Sequence, residues 1–299
     1  MTPALATLLE GARVLLVRLR SLGDCVLTTP AIHLLKAHRP DLNLAVVVED
    51  RFRAVFEGNP DIAAVFPPAA AEVMGWQPRL TVNFHGGPRS MVLTAASLAP
   101  RRAGFAHFPN RWLYNLRIPR AQEILGEERK VHTAEHLASA MFWLGVPRTE
   151  IPRAQLFAPA SSPREPYAVI HPFASAPTKA WPAGRFVKVA RNLPVAPVII
   201  GAADDDFSPF SEFDCLRGAP LAEVMSLIAA ATLFIGNDSG PAHIAAAYGR
   251  PVVVLYGSSD PVIWAPWRTE SQVIEAQGDL SGVPMGAVLE AIDRLKVRA

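Results

Sequence analysis

The chain has 299 residues, half of them hydrophobic and 19% charged. That length predicts two domains with substantial cores and excludes a disordered or low-complexity chain. Its 29 basic and 27 acidic residues nearly cancel, which excludes nucleic-acid binding by bulk electrostatics. Residues 1–11 carry an apolar stretch without a basic leader, and no run approaches the ~20 apolar residues that span a bilayer. The two cysteines, Cys25 and Cys215, make neither a disulfide framework nor a zinc cluster. They fit a reducing, cytoplasmic setting.

Residues 13–19 (RVLLVRL) read as a buried parallel strand and 26–37 as a helix. A strand follows at 44–49, a short helix at 51–57 and a short strand at 62–66. Residues 80–84 make a further strand, 89–98 a helix, and 133–144 a longer amphipathic helix. Five prolines (Pro147, Pro152, Pro159, Pro163 and Pro166) mark 147–166 as the inter-domain linker. The alternation then restarts. Strands are expected at 167–171, 197–201, 233–236 and 252–256, with helices at 184–191, 221–230, 241–248 and 283–297. The expected architecture is two doubly wound α/β domains, 1–155 and 156–299, facing each other across a cleft. Ligands in such sheets sit outside the carboxyl ends of the strands.

Three motifs leave strands in this pattern. In Arg18-Leu19-Arg20-Ser21-Leu22-Gly23-Asp24, Asp24 is either a general base or the far partner of a capping box begun by Ser21. In Gly236-Asn237-Asp238-Ser239-Gly240-Pro241-Ala242-His243, a helix N-terminus with a close-approach glycine suits a diphosphate. Plain capping by Asp238 or Ser239 is the alternative. In the stretch 171–182 (HPFASAPTKAWP), Ser175, Thr178 and Lys179 could hold phosphate oxygens, or Lys179 could be a solvated loop lysine. No GxGxxG and no GxxxxGK[ST] occurs, so NAD and P-loop chemistry lose support.

Three shorter patterns have bland readings. His132-Thr133-Ala134-Glu135-His136 matches the zinc-hydrolase spacing HxxEH, but a third ligand is undetermined and a helix start explains it. Asp204-Asp205-Asp206 reads as a solvated turn. His85-Gly86-Gly87-Pro88 has the look of an oxyanion loop, yet no GxSxG elbow accompanies it. Arg89, Arg101, Arg102, Arg111, Arg117 and Arg120 accompany Phe105, Phe108, Trp112 and Tyr114. This is either a candidate surface for a phosphorylated saccharide or anionic lipid, or a plain solvated basic face.

Taken together, RLRSLGDCVLTTPAIHLLK, LNLAVVVEDRFRAVFEGNPDI, NFHGGPRS, HPFASAPTKAWP and GNDSGPAHIAAAYGRPVVVLYGSSDP resemble glycosyltransferase family 9 over nearly the whole chain. The resemblance implies a GT-B fold of two Rossmann-like domains. It also implies inverting, metal-independent transfer of a heptose from a nucleotide donor, ADP-heptose, to a lipid-linked saccharide. No cofactor is implied. Asp24 matches the family's proposed base and Lys179 its donor-phosphate lysine. Asp238, Ser239, Gly240 and His243 match its donor-binding turn. Arg20, Arg89 and Arg117 are the acceptor-side candidates, and peripheral contact with the inner face of the membrane is the expected setting.

The chain departs from the family at Phe173, usually glycine, and at Asn83, usually acidic. Its segment between Gly201 and Leu216 is also much shorter. That shortening motivates a second hypothesis, a non-catalytic or diverged nucleotide-sugar binding protein. A zinc hydrolase built on His132 and His136 is the third.

Overall fold

The computed structural model describes residues 3–157, 165–174, 176–276 and 278–296. They form two compact units, and the chain passes from one to the other between Phe157 and Ala158. The first unit contains β1 (Arg13–Val17), α1 (Leu22–His38), β2 (Asn43–Val47), β3 (Ala64–Phe66), α2 (Ala70–Gly75) and β4 (Leu80–Asn83). It continues with α3 (Pro88–Ala96), β5 (Arg101–Phe105), β6 (Leu116–Ile118), α4 (Ala121–Leu125) and α5 (Thr133–Leu144). Its six strands are all parallel, in the order β3-β2-β1-β4-β5-β6.

The second unit contains β7 (Tyr167–His171), α6 (Ala183–Arg191), β8 (Ala196–Gly201), β9 (Asp214–Arg217), α7 (Leu221–Ala230) and β10 (Leu233–Asn237). It ends with α8 (Gly240–Ala247), β11 (Val252–Tyr256), α9 (Pro261–Trp264), β12 (Ser271–Glu275) and α10 (Met285–Arg294). Its sheet is also parallel, ordered β12-β11-β10-β7-β8-β9. Counted from its own first strand, this is the same 3-2-1-4-5-6 order, that of the Rossmann fold. In such sheets the strand order reverses beside the first strand and leaves a crevice there. The reversal lies between β1 and β4 in one unit, and between β7 and β10 in the other.

The inner strands are apolar on both faces because helices cover both faces. Leu16 stands between Val46 and Val82, and Ile235 between Ile170 and Val253. All six are fully buried. α1 begins at Leu22, four residues before the expected start, because Ser21 and Asp24 cap it there.

Four strands were not anticipated, β5, β6, β9 and β12. Each carries charged or polar residues in place of a continuous apolar run. β9 begins within the shortened segment that follows Gly201. α10 is shorter than the expected 283–297, and Val297 lies outside the described residues. The basic and aromatic cluster also needs correction. Phe105 and Tyr114 are fully buried core residues, and Arg102 is bound to the carbonyls of Ala99 and Leu113. Gly104 is required beneath Tyr114, since a Cβ there would stand 2.6 Å from its ring. Among the described residues no helix is long and apolar enough to cross a membrane.

Candidate functional site

The carboxyl end of β1 delivers Arg18 to Asp24 into the first crevice. Asp24 Oδ2 accepts from the Ser21 hydroxyl at 3.1 Å and from the Ser21 N–H at 3.4 Å. Its Oδ1 faces Arg18 Nη1 at 3.4 Å. Asp24 therefore caps α1 and still presents a carboxylate, with 23% of its side chain exposed. The two readings of the motif are compatible. Arg18 is buried beside it, and its Nε has no hydrogen-bond partner. A buried guanidinium at Oδ1 fixes a positive charge against the carboxylate.

β4 delivers the neighbouring turn. Asn83, fully buried, accepts the N–H groups of His85 and Gly86 at 2.8 and 2.9 Å. Its amide nitrogen lies 3.0–3.1 Å from the hydroxyls of Ser90, Thr94 and Tyr114. The turn needs only an oxygen from this side chain, and asparagine supplies it as an acid would. The departure at Asn83 leaves the turn intact.

His85 from this turn is half-buried. Burial and the charges of Arg18 and Arg20 lower its imidazole below the usual range. His136 on α5 stacks on Phe105 with centroids 4.1 Å apart, and burial lowers it to about 4. His107 is lowered by burial and by Arg120. Neutral imidazoles at His85 and His136 thus stand within electrostatic reach of Asp24. Motif reading did not place them there. The available signal was positional, since His85 and His107 each stand two residues beyond a strand.

The zinc pattern resolves into a helix start. His132 Nδ1 accepts the Ala134 N–H, and Glu135 accepts the His132 N–H while pairing with Arg129 at 2.7 Å. Among the described residues no group of three His, Cys, Asp or Glu side chains could hold a metal. Asp205 and Asp206 accept the backbone N–H groups of Ala202 and Ser208, as a turn would require.

The acceptor-side arginines come from three different elements. Arg20 is exposed beside Ser21. Arg89 opens α3 and borders an open groove of about 470 Å³, shared with Glu49, Asp50, Arg51, Pro67, Pro68 and Ala69. This groove lies at the carboxyl ends of β2 and β3. Arg117 is on the outermost strand β6, three strand spacings or about 14 Å from β1.

In the second unit the crevice holds the other two motifs. Lys179 ends a 3-10 turn, Pro177–Lys179, and its Nζ donates to Ser259 Oγ at 2.7 Å and pairs with Asp238 Oδ2 at 3.5 Å. Ser239 Oγ lies 3.0 Å from His171 Nδ1. Burial lowers the His171 imidazole to about 4, so it is neutral near pH 7. Asp238 and Ser239 are both occupied away from α8, which carries no side-chain cap. The capping alternative for this motif is therefore overturned. The open start of α8, with Gly240 as its first residue, is the arrangement that accepts an anion.

Asn237, buried at the end of β10, joins the two loops. It accepts the Trp181 N–H at 3.0 Å and donates to the Pro172 carbonyl at 2.8 Å. Gly236 must lack a side chain, because a Cβ would meet the His171 carbonyl at 2.9 Å. Thr178 is exposed on the same loop, and Ser175 lies outside the described residues. His243 is buried one turn into α8, edge-on to Trp264 at 6.5 Å, so it packs inside this unit. Phe173 packs on Phe207 and Phe210, with centroids 4.9 and 5.9 Å away. Both partners come from the shortened segment.

Comparison with known proteins agrees with this layout. The family model described as glycosyltransferase family 9 (heptosyltransferase) matches residues 83–281. An Escherichia coli lipopolysaccharide heptosyltransferase 3 is 25% identical over 91% of this chain and 96% of its own. A glycosyl transferase family 9 structure from Veillonella parvula superposes with a TM-score of 0.85 at 21% identity, covering 96% of this chain and 98% of that one. The E. coli ADP-heptose lps heptosyltransferase II gives 0.79 at 21%, covering 95% and 98%. The two solved structures share the GT-B fold with this chain. The matched region begins at the Asn83 turn and runs through both second-unit motifs, and on that match the chain is a member of glycosyltransferase family 9, the heptosyltransferases.

Proposed function

We propose that the chain transfers a heptose, or a similar sugar, from a nucleotide diphosphate donor to a lipopolysaccharide-type, lipid-linked saccharide, with inversion and without a metal. ADP-heptose is the proposed donor, as it is in the name of the structurally similar E. coli ADP-heptose lps heptosyltransferase II. The observation that carries this reading is the pair of equivalent crevices. One holds a carboxylate, Asp24, beside a buried arginine. The other holds Lys179 beside the uncapped start of α8.

In this reading Asp24 takes the proton of an acceptor hydroxyl as its oxygen attacks the anomeric carbon. Such a base contributes typically ~10²–10⁴-fold. The bond from that carbon to the diphosphate breaks, and the electron pair leaves with the phosphate oxygen. Lys179 and the first amides of α8 then stabilise the departing charge. Asp238 and Ser259 hold the Lys179 ammonium in place until a phosphate competes for it.

The test is ADP release and product formation with ADP-heptose and an inner-core acceptor. Asp24→Ala is expected to lose at least ~10²-fold in kcat, and Lys179→Ala to raise donor KM. NMR of the product anomer reads the inversion, and full activity in excess chelator reads metal independence. Wild-type turnover by Asp24→Ala would remove the base assignment. Tight donor binding without turnover on any acceptor would favour a diverged nucleotide-sugar binder, the reading the shortened segment supports.

A further inference from the structure

Arg18 follows β1 directly, and main-chain bonds to β2 hold it in place. Its N–H donates to the Val47 carbonyl, and the carbonyl of the next residue, Leu19, accepts from the Glu49 N–H, both at 3.1 Å. Only 6% of Arg18 is exposed. Its Nε is buried and has no hydrogen-bond partner among the described residues. A guanidinium buried with a donor unmet is costly to fold around. An apolar side chain of similar length would serve packing better. The charge is therefore kept for what it faces.

What it faces is Asp24, with Nη1 3.4 Å from Oδ1. The neighbouring groups do not compete for it. Burial pushes the Cys25 thiol up to about 12, so it is uncharged near pH 7. His85 and His136 are neutral there as well. Glu49, the other acid that acts on Cys25, pairs with Arg51 at 2.8 Å. Asp24 is held from its own side too. Its carbonyl accepts from the Thr28 hydroxyl at 2.7 Å in α1, and its Oδ2 accepts from the Ser21 hydroxyl at 3.1 Å.

We propose that Arg18 is a positioning residue for the transfer: with Ser21 it holds the Asp24 carboxylate in the one orientation that meets the acceptor hydroxyl. This rests on the base role proposed for Asp24. Oδ2 is engaged by Ser21, in the helix cap. The contact at Oδ1 is longer than a charge-assisted bond of 2.7–2.9 Å, so Oδ1 is the oxygen free to take the hydroxyl proton. Arg18 keeps all its own protons throughout, since a guanidinium does not titrate near neutrality. Its part is to fix the rotamer and the charge of a group that must be in place before the substrate arrives.

The experiment is a double-mutant cycle on transfer from ADP-heptose to an inner-core acceptor, reading kcat and donor KM separately. Arg18→Met is expected to lower kcat about tenfold, the worth of one hydrogen bond to a charged group. Donor KM should stay within about twofold of wild type, because the donor motifs lie in the other unit. Arg18→Lys keeps the charge and should return kcat to within about threefold of wild type. In an Asp24→Asn background, itself expected to lose at least ~10²-fold, Arg18→Met should change kcat by less than about twofold. A merely structural arginine would instead lower kcat by the same factor in both backgrounds, and that result would overturn the proposal. So would a wild-type kcat in folded Arg18→Met, or Arg18→Lys no better than Arg18→Met. Arg18→Gln is read in the same way should Arg18→Met melt early. Wild-type turnover by Asp24→Asn would remove the base and this inference together, and so would a wild-type chain that transfers nothing. Loss in Asp24→Asn beside full kcat in Arg18→Met would overturn this inference alone.

Discussion

Replacing Asn237 by alanine removes the clamp between the two second-unit motifs. The side chain is fully buried and makes two hydrogen bonds, to the Trp181 N–H and the Pro172 carbonyl. Each bond contributes about 1 kcal/mol, and each buried group left unpaired costs about 1–3 kcal/mol. A residual cavity adds to this, while partial collapse and water entry offset some of it. The expected loss is about 2–4 kcal/mol. For a unit of this size that is a fall in melting temperature of roughly 6–12 °C. The loop from Pro172 to Trp181 carries Lys179, so donor KM should rise while the chemistry at Asp24 is untouched. Calorimetric melting and donor titration read the two effects. A shift below about 2 °C, well under the bonds' own worth, together with an unchanged KM would refute the clamp.

Three further outcomes follow from geometry and charge. His136 and His171 are both held neutral by burial, each at about 4. The unfolded chain therefore binds more protons between about pH 6.5 and 4, so stability falls as pH falls through that window. Each imidazole contributes on the order of 2–3 kcal/mol to the loss, and His171→Asn should flatten the lower part of a urea-midpoint profile against pH. Gly86→Ala is expected to cost about 2–3 kcal/mol, because φ is +74° and a Cβ would stand 2.6 Å from the Phe108 ring. A urea midpoint equal to wild type would contradict that packing. Ser259→Ala frees the Lys179 ammonium from one partner, and a donor KM raised by less than about twofold would show that Asp238 alone positions it.

Strands buried on both faces announce themselves. The runs RVLLV, LAVV and VVVLY can only be interior, and so β1, β2 and β11 are legible with little error. β5, β6, β9 and β12 are not, since Arg101, Arg102, Arg117, Asp214, Arg217 and Glu275 interrupt any apolar run. Their strand character comes from backbone pairing to a neighbour already in place. The same division holds at the site. Asp24, Lys179 and Asp238 are legible because each follows a strand in a short motif. Ser259 and His171, which hold Lys179 and Ser239, are distant in sequence and become partners only through the sheet order. Asn237 was visible as part of a turn, but its role as a bridge to Pro172 and Trp181 is a tertiary fact. The packing of His243 against Trp264 is likewise a tertiary fact that its motif position does not show.

The contact of Phe173 with Phe207 and Phe210 ties two departures from the family into one unit of change. The ring also stands where a side chain on Gly201 would be, 2.5 Å from that Cβ position. Lengthening the segment alone would pull Phe207 and Phe210 away and leave an aromatic face bare. Restoring glycine at Phe173 alone would leave a void of nearly a benzene ring beneath a short loop. Each reversal is unfavourable without the other, so the two sites are energetically coupled. Grafting a longer nucleoside segment from a relative into this chain requires both edits at once.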